Sequence, residues 1–185
     1  MREIILASAS PRRRELLTTA GVEFRVVVSD ADETVPEGTA PKDAAVMTAE
    51  KKALAVCKSC PDGIVIGADT IVVAGGLILG KPKDEADAIS MLRFLSGKEH
   101  EVITGVCITD GNKTEKFAQV SKVRFYELTD EEIAAYVATK EPDDKAGSYG
   151  IQGRGCVLVE SIEGDYFNIV GLPVAATVRA LKAFE

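Results

Sequence analysis

Apolar residues fall in short blocks along the chain, and most blocks are closed by a turn or cap signal. Residues 3–7 read as a buried strand, Ser10-Pro11 as an N-cap followed by proline in the first helical turn, and Leu16, Leu17 and Ala20 as the stripe of a short helix ending at Gly21. A β-branched run over 22–28 predicts a second strand, closed by an acidic stretch with Asp30, Asp32 and Glu33. Thr39-Ala40-Pro41 opens a long helix in which Ala45, Ala49, Ala53 and Val56 recur at helical spacing, with Lys52 beside that stripe. Residues 64–67 form a short apolar strand running into Ala68-Asp69-Thr70, and residues 71–73 and 77–79 flank a Gly75-Gly76 hairpin turn. Gly80-Lys81-Pro82 breaks the pattern, and Asp84 starts a helix with Ile89, Leu92 and Leu95 inward.

The second half continues the alternation. Residues 102–109 and 114–126 predict long strands joined through Asp110-Gly111-Asn112. Thr129 and Glu132 have capping-box spacing, giving a helix over about 130–138. A Gly-rich connection spans 140–155, residues 156–162 and 166–170 read as paired strands, and Pro173 begins a terminal helix. The pattern predicts one α/β domain over residues 1–185, with a mixed sheet flanked by helices and creased into two lobes.

Composition narrows the function classes. With 46% hydrophobic and 28% charged residues, the chain can bury roughly 70% of its unfolded surface and needs neither disulfide nor structural metal. A net charge of -7 disfavours a polyanion such as DNA or a membrane surface, so neither nucleic acid nor membrane is an expected partner. No apolar run approaches the length of a membrane span, and Met1-Arg2-Glu3 leads straight into residues 4–7 without a long apolar leader, so a cytoplasmic chain is expected. Cys57-Lys58-Ser59-Cys60 has redox or zinc spacing, but no second close pair follows and His100 is the only histidine, so these read as ordinary thiols.

Several positions carry candidate chemistry. Arg12, Arg13 and Arg14 crowd the first helical turn, where the macrodipole disfavours cations; an oligophosphate at the helix mouth, held also by Ser8 and Ser10, would explain them. A solvated charged helix start is the plain alternative. Asp69 is expected at a strand end, where sites in α/β sheets lie, and Lys81 sits on a constrained bend that would aim its charge. Residues 144–153 mix three glycines with Lys145, Tyr149 and Gln152, a composition that permits close backbone approach to a ligand and an amide that can read a base edge. With a single histidine a Ser-His-Asp arrangement is not the expected chemistry and no G-x-x-x-x-G-K-[ST] loop occurs, so any phosphate chemistry is expected to fall to carboxylates, lysines and arginines around a hard divalent cation.

Taken in order, Ser8-Ala9-Ser10-Pro11-Arg12-Arg13 with Glu15-Leu16-Leu17, Glu33, Lys52-Ala53, Gly67-Ala68-Asp69-Thr70, Gly80-Lys81-Pro82, the 144–153 loop, and Gly164-Asp165-Tyr166 with Val170-Gly171-Leu172-Pro173 resemble the Maf family across nearly the whole chain. The resemblance implies an inosine triphosphatase-like fold, shared with Ham1 proteins, with a cleft between two lobes. It also implies a cytoplasmic nucleoside triphosphate pyrophosphatase that uses a divalent metal, Mg²⁺ or Mn²⁺, and leaves nucleoside monophosphate and pyrophosphate. Arg12, Thr70 and Gln152 match positions of the subgroup acting on dTTP and UTP, and Asp69 matches the proton acceptor. Ser8, Arg13, Lys52 and Lys81 are then expected on phosphate, and Glu33 with Asp69 on the metal; how these two carboxylates share the work stays open. Modified pyrimidine nucleotides and a link to cell-division arrest come with the family, and a homodimer stays open. Two rival readings are a nucleotide-binding regulator without turnover and a pyrophosphatase for modified purine or 7-methyl-guanine nucleotides.

Overall fold

The structure, a computed structural model, describes residues 2–184; Met1 and Glu185, the ends of the domain expected over 1–185, lie outside the described residues. The elements in chain order are β1 (Ile4–Leu6), α1 (Pro11–Thr19), β2 (Phe24–Val26), α2 (Pro41–Cys57), β3 (Ile64–Ala74), β4 (Leu77–Leu79), α3 (Glu85–Leu95), β5 (Glu99–Thr109), β6 (Thr114–Phe125), α4 (Asp130–Val137), β7 (Val159–Glu163), α5 (Tyr166–Val170) and α6 (Val174–Leu181). The strands are hydrogen-bonded in the order β2-β1-β3-β5-β6-β7, with β4 on β3. β1 runs parallel to β2 and β3, whereas β4 and β7 pair antiparallel with β3 and β6. The expected mixed α/β sheet flanked by helices is therefore the observed one, and no helix among the described residues is long and apolar enough to cross a membrane.

The chain divides into two compact units. The first takes the residues up to Thr70, Thr104–Gln119 and those from Gly171 onward; its core joins Ile5, Ala7 and Val65 to Ala49, Ala53 and Val56. The alanine stripe of α2 is small for a reason. A Cβ at Gly67 of β3 would land on the Ala49 carbonyl oxygen, and one at Gly105 of β5 on the Ala45 backbone, so helix and sheet meet at backbone distance. The close approach fixes where α2 carries Lys52. The second unit, Ile71–Ile103 and Val120–Val170, builds its core from Leu92 and Leu95 of α3, Ile133 and Val137 of α4, and Phe125, Tyr149 and Leu158.

Local signals set some elements, and longer-range contacts set others. Ser10 caps α1, Asp84 caps α3 by accepting the Asp87 N–H at 2.8 Å, and Thr129 with Glu132 forms both halves of the capping box. β2 covers only three of the residues expected over 22–28. The two strands expected over 64–67 and 71–73 are one continuous strand, β3. The pairing of 156–162 with 166–170 is not formed: residues 154–158 are a 3₁₀ turn, β7 pairs with β6 instead, and 166–170 is the helix α5. The helix wins because Asp165 accepts the Phe167 N–H at 2.8 Å as a cap. The fully buried Asn168 amide, donating to the Val102 carbonyl and Ser121 Oγ at 2.9 Å each, anchors the turn in the core. Propensity of Tyr, Phe, Ile and Val for strands is overridden by these polar contacts.

Candidate active site

The start of α1 shows what three successive arginines are doing. Arg14 is exposed and donates to the Ala9 carbonyl at 3.2 Å, Arg12 is half-buried, and Arg13 turns inward. Arg13 Nε donates to the Gly171 carbonyl at 2.8 Å, Nη1 to Ser8 Oγ at 3.1 Å and Nη2 to Thr70 Oγ1 at 3.0 Å. Three of the five guanidinium N–H groups are thus spent on protein acceptors, which only a planar fork can reach together. Burial pushes the Arg13 pKa down from its usual value, and the nearby Asp69 charge works against that push.

The acceptors are themselves bound. Ser8 Oγ also receives the Ser10 N–H at 3.2 Å, which leaves its own O–H as a donor. Thr70 Oγ1 lies 2.9 Å from Thr104 Oγ1 and 3.3 Å from the Gly171 carbonyl. Gly171 has φ +134°, a backbone that side-chain-bearing residues rarely adopt, and so presents its carbonyl to both Arg13 and Thr70. Thr104 and the Gly171 carbonyl were missed in the sequence; the glycine between Val170 and Leu172 was the available signal.

Beside this network lies a charge cluster in the same unit. Lys52 Nζ sits between two carboxylates, 2.8 Å from Asp69 Oδ1 and 3.0 Å from Glu33 Oε2. The Lys52 and Asp69 side chains are only 13% and 19% exposed, against 58% for Glu33, so the ammonium and Asp69 form the sheltered part. The neighbouring Lys51 donates to the Thr34 carbonyl at 2.5 Å, and Thr34 Oγ1 and N–H both donate to Asp32 Oδ1. Two consecutive lysines of α2 therefore hold the acidic segment that carries Glu33. Asp69 does not end its strand as expected, because β3 continues to Ala74; it stands three residues beyond Ile66, the last β3 residue registered against β1. At Asp69 the parallel partner β1 has ended, although its own strand runs on.

Lys81 and Gln152 belong to the second unit and are both exposed. The bend holding Lys81 is fixed by the Gly147 N–H, which donates to the Gly80 carbonyl at 3.1 Å. The glycines of the 144–153 loop approach groups of the protein itself: a Cβ at Gly147 would press on Val72 and one at Gly150 on Lys145.

Among the described residues there is no group of three or more His, Cys, Asp or Glu side chains able to hold a metal ion. Glu33 and Asp69 alone supply two hard oxygen donors. Mg²⁺ and similar ions are commonly held by one or two carboxylates with substrate phosphates and water completing the shell, so the donor set fits a cation that arrives with a nucleotide.

This geometry can be set beside known proteins. A dTTP/UTP pyrophosphatase of Bacillus cereus is 55% identical over 185 residues, covering 100% of this chain and 97% of that relative. One of Bacillus anthracis has the same identity and coverage. The structure of a HAM1 protein from Coxiella burnetii aligns with a TM-score of 0.54 at 13% identity, covering 99% of this chain and 100% of the other; it bears on the fold alone and bears out the expected Ham1-like architecture. Residues 3–184 match the family described as Maf-like protein, and with relatives this similar along the full length, the chain belongs to that family.

Proposed function

We propose that this protein hydrolyses dTTP and UTP to the nucleoside monophosphate and pyrophosphate in the presence of a divalent cation. The observation that carries the reading is the sheltered Lys52 ammonium held between Asp69 and Glu33, in a chain 55% identical to proteins named dTTP/UTP pyrophosphatase. Glu33 and Asp69 would hold the cation, Mg²⁺ or Mn²⁺, which when bound neutralises phosphate charge and polarises the phosphorus–oxygen bonds.

Asp69, the more sheltered carboxylate on a rigid strand, takes a proton from water as the water oxygen attacks the α-phosphorus. The bond from that phosphorus to the bridging oxygen breaks, and pyrophosphate leaves with the electron pair. Lys52 and Lys81 offset the charge that grows on the leaving group, joined by the Ser8 hydroxyl and the two Arg13 N–H groups that remain. Arg12, Thr70 and Gln152 are assigned to selection of the base, with Thr70 acting through its bonds to Arg13 and Thr104. Cytoplasmic residence, action on modified pyrimidine nucleotides, a part in cell-division arrest and a homodimer belong to the same proposal.

The test is a panel of nucleoside triphosphates, 7-methyl-GTP included, with and without Mg²⁺ or Mn²⁺, with products separated by chromatography. Thymidine and uridine monophosphates with pyrophosphate are expected. Nucleoside diphosphate with orthophosphate places the cleavage at another bond, affinity without turnover makes the protein a sensor, and a preference for 7-methyl-GTP moves it to another substrate class.

A further inference from the structure

The loop that bears Gln152 is wrapped around one carboxylate. Glu141, half-buried in the 3₁₀ turn after α4, accepts the Arg154 N–H on Oε2 at 2.8 Å and the Gly155 N–H on Oε1 at 3.1 Å. Oε1 also accepts the Tyr136 hydroxyl at 2.9 Å, and that hydroxyl oxygen in turn accepts the Gly150 N–H at 3.0 Å. The segment 150–155 is therefore tied at its start through Tyr136 and at its end directly to Glu141, and Gln152 lies midway between the ties.

The glycine spacing fits this wrapping. A Cβ at Gly153 would overlap the Glu141 carboxylate, and one at Gly155 would reach the Tyr136 hydroxyl at 2.8 Å. The backbone at 153 and 155 comes this close only because no side chain intervenes. Burial pushes the Glu141 pKa up, but the Arg154 and Gly155 amides and the Tyr136 hydroxyl outweigh it and hold the group below the usual carboxylate range. A charged acceptor makes stronger hydrogen bonds than a neutral one, so a carboxylate is suited to fixing a loop with no regular ladder of its own.

The geometry points to Glu141 and Tyr136 as a positioning pair that sets the aim of Gln152 and, through it, selectivity for the nucleotide base. The inference rests on the reading of Gln152 as the residue that selects the base. Neither residue touches substrate in this account; both act through the loop backbone.

The experiment measures kcat/KM for dTTP and GTP in wild type, Glu141→Gln, Tyr136→Phe, Gln152→Ala and the Glu141→Gln/Gln152→Ala double variant. The ratio of the two values is independent of the fraction of active protein, so partial unfolding does not imitate a selectivity change. Gln152→Ala should lower the dTTP-to-GTP ratio by about 5- to 150-fold, the range set by one unmet hydrogen bond. Glu141→Gln and Tyr136→Phe should each lower it by about 5-fold or more, with KM for dTTP rising more than kcat falls. In the double variant the ratio should match that of Gln152→Ala alone, since a residue acting through Gln152 has nothing left to aim. An unchanged ratio in both Glu141→Gln and Tyr136→Phe, with Gln152→Ala selective, overturns the positioning role and leaves the base reading intact. Losses that multiply in the double variant overturn it too. An unchanged ratio in Gln152→Ala overturns the base reading itself.

Discussion

Arg13→Lys keeps the charge and removes the fork. The guanidinium makes three hydrogen bonds at 2.8, 3.1 and 3.0 Å, to Gly171, Ser8 and Thr70, and a lysine ammonium on the same stem can replace about one of them. Each bond from a charged donor contributes about 1.5–3 kcal/mol net. The three acceptors keep other partners, Ser8 the Ser10 amide, Thr70 its neighbour Thr104, and the Gly171 carbonyl a longer bond from Thr70, so no acceptor is stranded. The lower end of the range then applies, and two lost bonds cost about 3 kcal/mol. For a chain of this size that lowers Tm by about 6 to 12 °C. Urea unfolding should show a lower midpoint at unchanged slope, since the surface exposed on unfolding does not change. Because the same fork holds Thr70 next to Asp69, kcat/KM for dTTP should also fall at temperatures where the variant is fully folded. A stability loss below about 0.5 kcal/mol, the usual range for surface substitutions, would refute the fork as a structural tie.

Three further outcomes follow from the geometry. Asp69→Asn keeps an acceptor for Lys52 and should fold with an unchanged thermal midpoint, while kcat for dTTP falls by about 10²- to 10⁴-fold; near wild-type turnover would remove Asp69 from the chemistry. Gly67→Ala drives a methyl into the Ala49 carbonyl and the Ala53 backbone, so α2 must shift, costing about 1–3 kcal/mol and displacing Lys52 from Asp69; calorimetry and a kcat measurement check both. His100, packed edge-on against Phe125 and bonded to Tyr149 at 2.8 Å, has its pKa pushed down to about 4 by burial. The unfolded chain takes up that proton near pH 6.5 and the folded one only near 4, so stability is full above this window and falls as pH drops through it, by up to about 3 kcal/mol. Urea unfolding at pH 7 and pH 5 should show the loss, and His100→Gln should flatten it.

Much of this architecture was legible because its signals are local. Ser10, Asp84 and the Thr129–Glu132 box announce helix starts through side chains within three residues of the backbone they cap, and the alanine stripe of α2 repeats at the helical period. Residues 166–170 look like a strand by composition; the adjacent Asp165 cap is a local signal for the helix, but the anchor that holds the turn in the core lies far away in sequence, where Asn168 reaches Val102 and Ser121. The site divides in the same way. Glu33, Lys52 and Asp69 stood out as charges beside apolar patterns, whereas Thr104, the Gly171 carbonyl and Glu141 act through partners 5 to 158 positions away. Glycines in the 144–153 loop did signal close approach. The sequence could not say that the approached group at Gly153 is a carboxylate of the protein itself.

The central claim, that water attacks the α-phosphorus and pyrophosphate leaves, is tested most directly by hydrolysing dTTP in ¹⁸O-enriched water with the divalent cation present and locating the label by mass spectrometry. One ¹⁸O in thymidine monophosphate and none in pyrophosphate is the result this account predicts. Label in pyrophosphate, or in released orthophosphate, would show attack at another phosphorus and contradict it.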